Sequence, residues 1–292
     1  MSPQQTTWLE RMLLLGVWIV SPLMAEPSLG SSDWARDRHV AARLLSEQSH
    51  VRAGDQWWVA LELKHDPTWH TYWINGGDAG IPTTLQWDLP AGIEAGPIHW
   101  APPQIVKMGQ LDVYGYEGRC LLLIPFQAHA SLGSQGPITL RARAHWMMCA
   151  RTCMPGKGVD LELKLGLGVT NEATTPLPWL KELWKAVSDL PRKVEADGRF
   201  HLSYDIPSRL YRLRSNQGKL PSDAYFFDAS GQLTSNQPQT LRHQKSGWIL
   251  ELPRANYASE TVEGLKGFLR VTDGAASGSV RWLELELPLP QP

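Results

Sequence analysis

Apolar residues alternate with polar ones in two stretches, which flank a pair of cysteines in the middle of the chain. The alternating apolar residues are Ile138, Leu140, Ala142, Ala144 and Trp146 upstream, and Val159, Leu161, Leu163 and Leu165 downstream. A period of two is typical of β-strands with one buried face. Pro155 and Gly156 mark a turn between the two stretches. The sequence therefore predicts a β-hairpin with Cys149 and Cys153 at its tip or shoulder.

The short spacing of the two cysteines bears on their chemistry. A disulfide that closes so small a loop stabilises a fold by only about 2 kcal/mol, and a short exposed bridge is easily reduced. Nearby cations favour the reactive thiolate. Arg151 lies between the cysteines, and strand parity predicts that further basic residues share the face of Cys149: Arg141, Arg143 and His145. We therefore favour a redox pair over a small structural bridge.

The rest of the chain is rich in short alternating segments and turns. Its 292 residues exceed what one domain usually needs, and its 25 glycines and 22 prolines suit many turns between strands. One helical stripe stands out over residues 179–190. We predict an all-β chain of two β-sandwich domains, at residues 26–168 and 199–292, joined by a linker with a short helix at 169–198.

The N-terminus predicts export. Arg11 precedes an apolar run at residues 12–20, and Ala25 offers a cleavage site, so residues 1–25 read as a signal peptide. This run is short for a bilayer span and nothing later comes close, so no transmembrane segment is expected in the mature chain. Export implies an oxidising compartment, in which a disulfide persists. The formal net charge of −1 argues against nucleic acid as a partner.

Three further features of the first domain carry predictions. Residues 75–82 hold three glycines and are expected to form a loop. Tyr114 to Tyr116 are expected in a turn before an apolar strand at residues 120–126. Cys120, the unpaired cysteine, begins that strand and is predicted to be a buried free thiol.

Four motifs together resemble the periplasmic N-terminal region of DsbD-type protein-disulfide reductases, especially the ScsB-related branch. They are residues 69–73 (Trp-His-Thr-Tyr-Trp), 75–83 (Asn-Gly-Gly-Asp-Ala-Gly-Ile-Pro-Thr), 114–118 (Tyr-Gly-Tyr-Glu-Gly) and 146–156 (Trp-Met-Met-Cys-Ala-Arg-Thr-Cys-Met-Pro-Gly). The resemblance covers the first domain well. The second domain is similar, with weaker motifs, to the extra β-domain of the ScsB-like branch.

The resemblance implies an immunoglobulin-like fold with a redox cysteine pair and no cofactor, acting as a protein-disulfide reductase-type oxidoreductase. Such a pair receives electrons from a membrane thiol carrier through a thioredoxin-like domain and passes them to oxidised periplasmic proteins. Cys149 and Cys153 match the active pair, and Cys153 matches the sulfur that bonds to partners. His70 and Tyr72 fall where that site has aromatic neighbours. Either the glycine-rich segment or Tyr114 and Tyr116 stands where a loop covers the pair.

The chain departs from this family pattern in three ways. Gly76 replaces a common proline, and the cysteine spacing is shorter than in the best-known DsbD domain. Relatives also continue into membrane helices and a thioredoxin domain, whereas this sequence ends at Pro292. We expect either that those parts are separate proteins or that the chain has another use.

Two other functions stay open from the residues alone. A copper-binding or copper-tolerance protein would use a cluster of soft Cu(I) ligands: Met147, Met148, Cys149, Cys153 and Met154, with His145. A non-redox binding module would instead use the aromatic surface around Trp69 to Trp73. Methionines and aromatic strands are more commonly packing residues, so both rank below thiol–disulfide exchange.

Overall fold

The structure is a computed structural model that describes residues 29–133, 136–168, 177–195, 198–216, 220–259, 261–262, 264–274 and 278–290. The predicted signal peptide and residues 169–176 and 196–197 of the predicted linker lie outside these residues. The described strands fall into a first region at residues 35–167 and a second region at residues 192–288, and each sheet lies wholly within one region.

The first region contains fourteen of the described strands. They are β1 (Ala35–Asp37), β2 (Val40–Ser46), β3 (His50–Val51), β4 (Gln56–His65), β5 (His70–Gly77), β6 (Thr84–Asp88), β7 (Ile93–Ala95), β8 (Gln104–Met108), β9 (Leu111–Glu117), β10 (Arg119–Ala128), β11 (Ile138–His145), β12 (Met147–Cys149), β13 (Cys153–Pro155) and β14 (Val159–Leu167).

These strands form three sheets around one core. The first sheet has the order β1-β2-β4-β10-β7, the second β3-β14-β11-β6, and the third β13-β12-β5-β9-β8. Alternate residues of all three sheets meet inside, among them Leu61, Leu122, Leu140, Leu163 and Trp73. The apolar residues alternate in the sequence because each strand buries one side against the other sheets.

One helix, α1 (Leu180–Ser188), follows the first region. Its Leu183 and the preceding Trp179 pack on the outer side of the first sheet, against Leu45, Ala60 and Leu123. The Trp179 indole also donates a hydrogen bond of 2.8 Å to the Ser46 carbonyl. The predicted helix is confirmed, and it is docked on the first region.

The second region forms two further sheets. Its strands are β15 (Arg192–Lys193), β16 (Phe200–Asp205), β17 (Leu210–Ser215), β18 (Pro221–Asp228), β19 (Thr240–Gln244), β20 (Gly247–Pro253), β21 (Gly264–Asp273) and β22 (Val280–Pro288). The sheet orders are β15-β22-β21-β18 and β16-β17-β20-β19. They enclose a separate core that includes Leu213, Phe226, Leu250 and Leu269. The prediction of an all-β chain with an immunoglobulin-like architecture is confirmed; the exact domain boundaries stay a prediction.

Aromatic side chains join the two regions. Trp73 of the first region lies 5.0 Å from Phe268 and 6.5 Å from Phe227 of the second region, measured between ring centroids. The Tyr114 and Tyr225 hydroxyls are 3.0 Å apart. Phe227 and Phe268 therefore belong to the core of the first region, which fixes the second region against the third sheet.

Two local predictions were wrong. Tyr114 to Tyr116 lie within β9 and not in a turn, because Val113 to Tyr116 are all buried and paired with neighbouring strands. The glycine-rich segment was predicted as loop throughout, yet β5 continues to Gly77 after a shift in its register with β9. In the part of the chain that is described, no helix has the length and apolarity needed to cross a membrane.

Candidate functional site

The predicted hairpin exists with the cysteines at its tip, but its turn lies between Cys149 and Cys153, and Pro155, predicted in the turn, belongs to β13. β11 pairs with β14, and between them the chain forms a small hairpin of β12 and β13, here called the cysteine hairpin, which pairs with β5 in the third sheet. Cys149 and Cys153 face each other in its register with three residues between them, and they form a disulfide with an S–S distance of 2.01 Å. The predicted disulfide is confirmed.

The base of the cysteine hairpin is held by the start of the first region. The Lys157 N–H donates a hydrogen bond to the buried Asp37 carboxylate, and the Arg38 guanidinium lies 2.9 Å from the Met154 sulfur. The Gly156 N–H donates to the Trp146 carbonyl at 2.8 Å. These contacts fix where the hairpin leaves the core and so where its tip lies.

The two cysteines differ sharply in access. Cys149 lies on β12 between β13 and β5, opposite His70, and is 0% exposed. Cys153 lies on β13, the outermost strand of the third sheet, and is exposed. A thiol that approaches from solvent therefore meets the Cys153 sulfur first.

The third sheet has two faces, and the disulfide lies on the outer one. Cys149 shares that face with Tyr72, Val106 and Val113 in a small apolar cluster that is separate from the main core. The Tyr72 hydroxyl is 3.5 Å from Cys153 Sγ and 3.7 Å from Met108 Sδ. Met108 Sδ is itself 3.6 Å from Cys153 Sγ. Tyr72 and Met108 thus cover the disulfide from the sheet side, and we call them the cap residues.

The glycine-rich segment, residues 75–82, packs on the ring of Tyr72. A Cβ atom at Gly80 would lie 2.1 Å from Tyr72 Cδ1, and one at Gly76 would lie 3.0 Å from the same atom. Gly80 also has a φ of +109°, which L side chains rarely adopt. The glycines are therefore needed for this segment to lie flat on the tyrosine next to the disulfide.

Tyr114 and Tyr116 lie on the opposite face of the third sheet from the disulfide. Both side chains belong to the main core, since they alternate with Val113 along β9. The Tyr116 hydroxyl donates to the Ala101 carbonyl at 2.7 Å, and that of Tyr114 contacts Tyr225. The structure brings His70 and Tyr72 to the pair but places Tyr114 and Tyr116 elsewhere.

Met108 is the neighbour that the sequence reasoning missed. It is the last residue of β8, which follows a proline-containing segment, and it pairs with Leu111 across a tight turn. A lone methionine at a strand end has no distinguishing pattern. Only the pairing of β8 with β9, and of β9 with β5, brings it to the cysteines.

His70 lies beside Tyr72 and opposite Cys149. It is 1% exposed, and its ring meets that of Tyr72 edge-on at 5.2 Å. Burial, with a smaller repulsion from His65, lowers the pKa of His70 to about 4. Its buried Nε2 has no hydrogen-bond partner among the described residues. Burial raises the pKa of Tyr72 to about 12, so its hydroxyl stays protonated near neutral pH.

The expected basic residues of β11 do not surround the pair. The alternation of buried residues continues from β11 through Trp146 to Met148, but β11 and β12 belong to different sheets, so the outward side chains of β11 are not neighbours of Cys149. Arg141 pairs with Glu162, and Arg143 pairs with Asp160, on the outside of the second sheet. His145 is 3.2 Å from the Arg143 guanidinium. Arg151 is exposed at the hairpin tip, as its position in sequence required.

The soft ligands of the copper alternative are divided between the two faces of the cysteine hairpin. Met148 pairs with Met154, and both pack against the main core, whereas Met147 packs on the side of Cys149. The described residues contain no group of three or more His, Cys, Asp or Glu side chains placed to hold a metal ion. The predicted six-residue set is therefore not gathered around one point.

Cys120 is a free, buried thiol on β10, as predicted. Burial and the nearby Glu62 carboxylate raise the pKa of this thiol to about 12. It therefore remains protonated and has little reactivity near neutral pH.

An all-β region with one exposed and one buried cysteine, joined as a disulfide at the tip of a short hairpin, has the arrangement that a thiol–disulfide interchange module needs. Residues 41–164 match the family model described as thiol:disulfide interchange protein DsbD, N-terminal. This part of the chain is therefore a DsbD-type N-terminal domain, and the resemblance seen in the sequence is confirmed.

The chain is also similar in fold to a solved structure, the N-terminal periplasmic domain of ScsB from Proteus mirabilis. The TM-score is 0.60 with 16% sequence identity, over 89% of this chain and 99% of that one, so the likeness includes both regions. Spo0M, a sporulation control protein from Bacillus subtilis, is a weaker match over 85% of this chain and 90% of that one, with a TM-score of 0.24 and 9% identity, and it supports no argument. A search of curated proteins found no match.

Proposed function

We propose that the chain relays electrons by thiol–disulfide exchange through the Cys149–Cys153 pair to oxidised periplasmic proteins. The observation that carries the proposal is the asymmetry of the pair, with Cys153 exposed on an edge strand and Cys149 fully buried. Exchange needs one accessible sulfur, to form a mixed disulfide, and one protected sulfur nearby, to resolve it.

The reaction follows from this asymmetry. A thiolate of the electron donor attacks Cys153 Sγ, the Cys149–Cys153 bond breaks, and Cys149 leaves as a thiolate. A second donor thiol then attacks the mixed disulfide, which releases the oxidised donor and leaves both cysteines reduced. In the delivery step, the Cys153 thiolate attacks a disulfide of the oxidised protein, and Cys149 resolves the new mixed disulfide. Two electrons pass in each direction, and the Cys149–Cys153 bond is restored.

Tyr72 supports the reactive form of Cys153. Its hydroxyl is 3.5 Å from Cys153 Sγ, and its raised pKa keeps it protonated. It can therefore donate a hydrogen bond to the Cys153 thiolate when the disulfide opens, which stabilises the thiolate relative to the thiol. Arg151 lies in the loop between the cysteines, where its charge acts in the same direction.

The partner that we propose is a thioredoxin-like domain, supplied by a membrane thiol carrier, and the location is the periplasm. Support comes from the DsbD-type domain and from the fold shared with a periplasmic domain of ScsB. Cleavage of residues 1–25 as a signal peptide, and the division into domains at 26–168 and 199–292, belong to the same proposal.

The test compares Cys149→Ala with Cys153→Ala. Each variant is mixed with a thioredoxin-like domain that carries only its first active-site cysteine, after the free protein thiol has been activated with an aromatic disulfide. Cys149→Ala should form a covalent complex that a reductant dissolves, and Cys153→Ala should not. A Cys120→Ser substitution in both backgrounds is the control that removes the third thiol.

Other outcomes point elsewhere. A complex formed by Cys153→Ala alone would reverse the roles of the two sulfurs. No complex with either variant would favour a structural bridge or copper binding over exchange, and Cu(I) titration of the reduced protein separates those two.

A further inference from the structure

A single hydroxyl of the second region joins the two segments that cover the disulfide. Ser235 is 3% exposed. Its Oγ accepts a hydrogen bond of 2.9 Å from the Asp78 N–H and donates one to the Asp112 carbonyl. Asp78 lies in the glycine-rich segment, and Asp112 is the second residue of β9, just after the turn of the β8–β9 hairpin.

Each of these segments leads directly to a cap residue. The glycine-rich segment lies on the ring of Tyr72 through Gly80. The β8–β9 hairpin carries Met108, which pairs with Leu111 next to Asp112. Ser235 therefore contacts both segments that position a cap residue.

The approach of Ser235 is close, and it requires a glycine. A Cβ atom at Gly77 would lie 2.6 Å from Ser235 Oγ, and Gly77 has a φ of +75°. Any side chain at this position would push the serine away from the Asp78 N–H. The local chain is therefore shaped to admit this contact from the second region.

Ser235 is itself held firmly in place. The buried Asp228 carboxylate accepts hydrogen bonds from the N–H groups of Ser230, Gln232 and Leu233, and so orders the turn that leads to Ser235. The Asp228 carbonyl in turn accepts a 2.7 Å hydrogen bond from the Asn75 amide of the first region. With the aromatic packing around Trp73, these bonds fix the serine relative to the disulfide.

We infer that Ser235 is a positioning residue through which the second region holds the cap residues over Cys153 and slows attack on the disulfide. The inference rests on the proposed function only in taking Cys153 as the sulfur that is attacked. It gives the second region a role in the reactivity of the pair, although the described strand pairing and side-chain contacts of the two cysteines are with the first region.

The test is the rate of disulfide reduction by dithiothreitol in the full chain, followed by quenching with an alkylating agent and mass spectrometry. Ser235→Ala leaves the Asp78 N–H and the Asp112 carbonyl without this partner, so the cap should open more often. We expect reduction to be about fivefold faster, the effect of roughly one hydrogen bond. The matched control is Ser222→Ala, which also removes a hydroxyl that bonds to backbone carbonyls, those of Thr272 and Asp273, but inside the second region. That variant should be reduced at the wild-type rate.

A double variant separates positioning from general loosening. If Ser235 acts through the cap, its effect should shrink in a Met108→Ala background, because part of the cap is then already absent. Equal rates for Ser235→Ala and wild type, equal acceleration by Ser222→Ala, or full additivity with Met108→Ala would each overturn the inference. If these rates behave as expected while Cys149→Ala traps no partner, the proposed function fails and the role of Ser235 stands.

Discussion

The Tyr72 hydroxyl lies 3.5 Å from the sulfur of Cys153, on the same face of the third sheet. In the disulfide form this contact is a weak one, because a disulfide sulfur is a poor acceptor. Once the bond opens, the same hydroxyl faces a thiolate, and a hydrogen bond to a charged group is about twice as strong as one between neutral groups. The contact therefore has its main effect in the reduced protein.

Replacement of Tyr72 by phenylalanine should raise the pKa of the Cys153 thiol. The loss of one hydrogen bond to the thiolate, about 1.5 kcal/mol, corresponds to about one pKa unit. The measurement is the pH dependence of iodoacetamide alkylation of Cys153 in a Cys149→Ala background. Tyr116→Phe is the matched control, because its hydroxyl bonds to the Ala101 carbonyl on the opposite face. The same profile in both variants would show that Tyr72 does not stabilise the thiolate.

Replacement of Met108 by alanine should uncover the disulfide. Met108 Sδ is 3.6 Å from Cys153 Sγ, and its removal takes away cover without touching the cysteine hairpin. Reduction by dithiothreitol should become several-fold faster, because the attacking thiol no longer has to displace this side chain. Gln104→Ala, at an exposed position on the same strand, is the control and should leave the rate unchanged. A rate unchanged in Met108→Ala would remove Met108 from the cap.

Much of the fold could be predicted because buried apolar residues alternate with exposed polar ones along the strands. Residues 138–144 and 159–165 alternate strictly, and the structure pairs them as β11 and β14 with the cysteines between. Cys120 could be placed in the core from its apolar neighbours alone. These predictions depend only on local periodicity and on spacing along the chain.

The neighbours of the disulfide could not be predicted in the same way, because they depend on which strands share a sheet. At Trp146 the chain passes from the second sheet to the third, so Arg143 and Cys149 both point away from the main core but lie on different sheets. Tyr114 and Tyr116 were predicted in a turn, whereas they lie in β9 with their side chains on the face away from the disulfide. Met108 and Ser235 come from segments far apart in sequence, and only tertiary structure brings them to one site.

The three cysteines should differ in their rates of alkylation after mild reduction. Cys153 is exposed, Cys149 is fully buried, and burial raises the pKa of the Cys120 thiol to about 12. Iodoacetamide at pH 8 should therefore label Cys153 first, Cys149 later and Cys120 only after denaturation. Peptide mass spectrometry against time gives the order, and a urea-treated sample is the control in which all three should react. Rapid labelling of native Cys120 would contradict its placement in the core.

His70 should make the protein less stable as the pH falls below 6.5. Its pKa is lowered from 6.5 to about 4 in the folded protein, so the unfolded chain binds the proton first. The stabilisation is therefore present above pH 6.5 and is lost as the pH falls towards 4. Between pH 7 and pH 5 this amounts to about 2 kcal/mol. His65, whose pKa is also lowered, adds in the same direction.

Urea unfolding of His70→Gln at pH 7 and pH 5 measures this contribution. The variant should show a smaller difference in the free energy of unfolding between the two pH values than wild type does. His201→Gln changes an exposed histidine of β16 and should keep the wild-type difference. An unaltered pH dependence in His70→Gln would mean that His70 takes up its proton without penalty in the fold.

Gly80 should be intolerant of alanine for two reasons that a control can separate. Its φ of +109° is unfavourable for any L side chain, and an added Cβ would lie 2.1 Å from the Tyr72 ring. Gly118, with a φ of +65° and no atom within 4 Å of its Cβ position, has only the first problem. Gly118→Ala should thus lower the free energy of unfolding by about 1 kcal/mol, and Gly80→Ala by roughly 2–4 kcal/mol.

The two alanine variants should also differ in the chemistry of the disulfide. To accommodate a methyl group at Gly80, the glycine-rich segment has to lift from Tyr72 or the ring has to turn, and either movement uncovers Cys153. Gly80→Ala should therefore be reduced by dithiothreitol faster than wild type, whereas Gly118→Ala should match it at a temperature where both are folded. If the two variants lose similar stability and are reduced at the same rate, the glycine-rich segment does not press on Tyr72, and the cover of Cys153 is due to Met108 and the tyrosine ring alone.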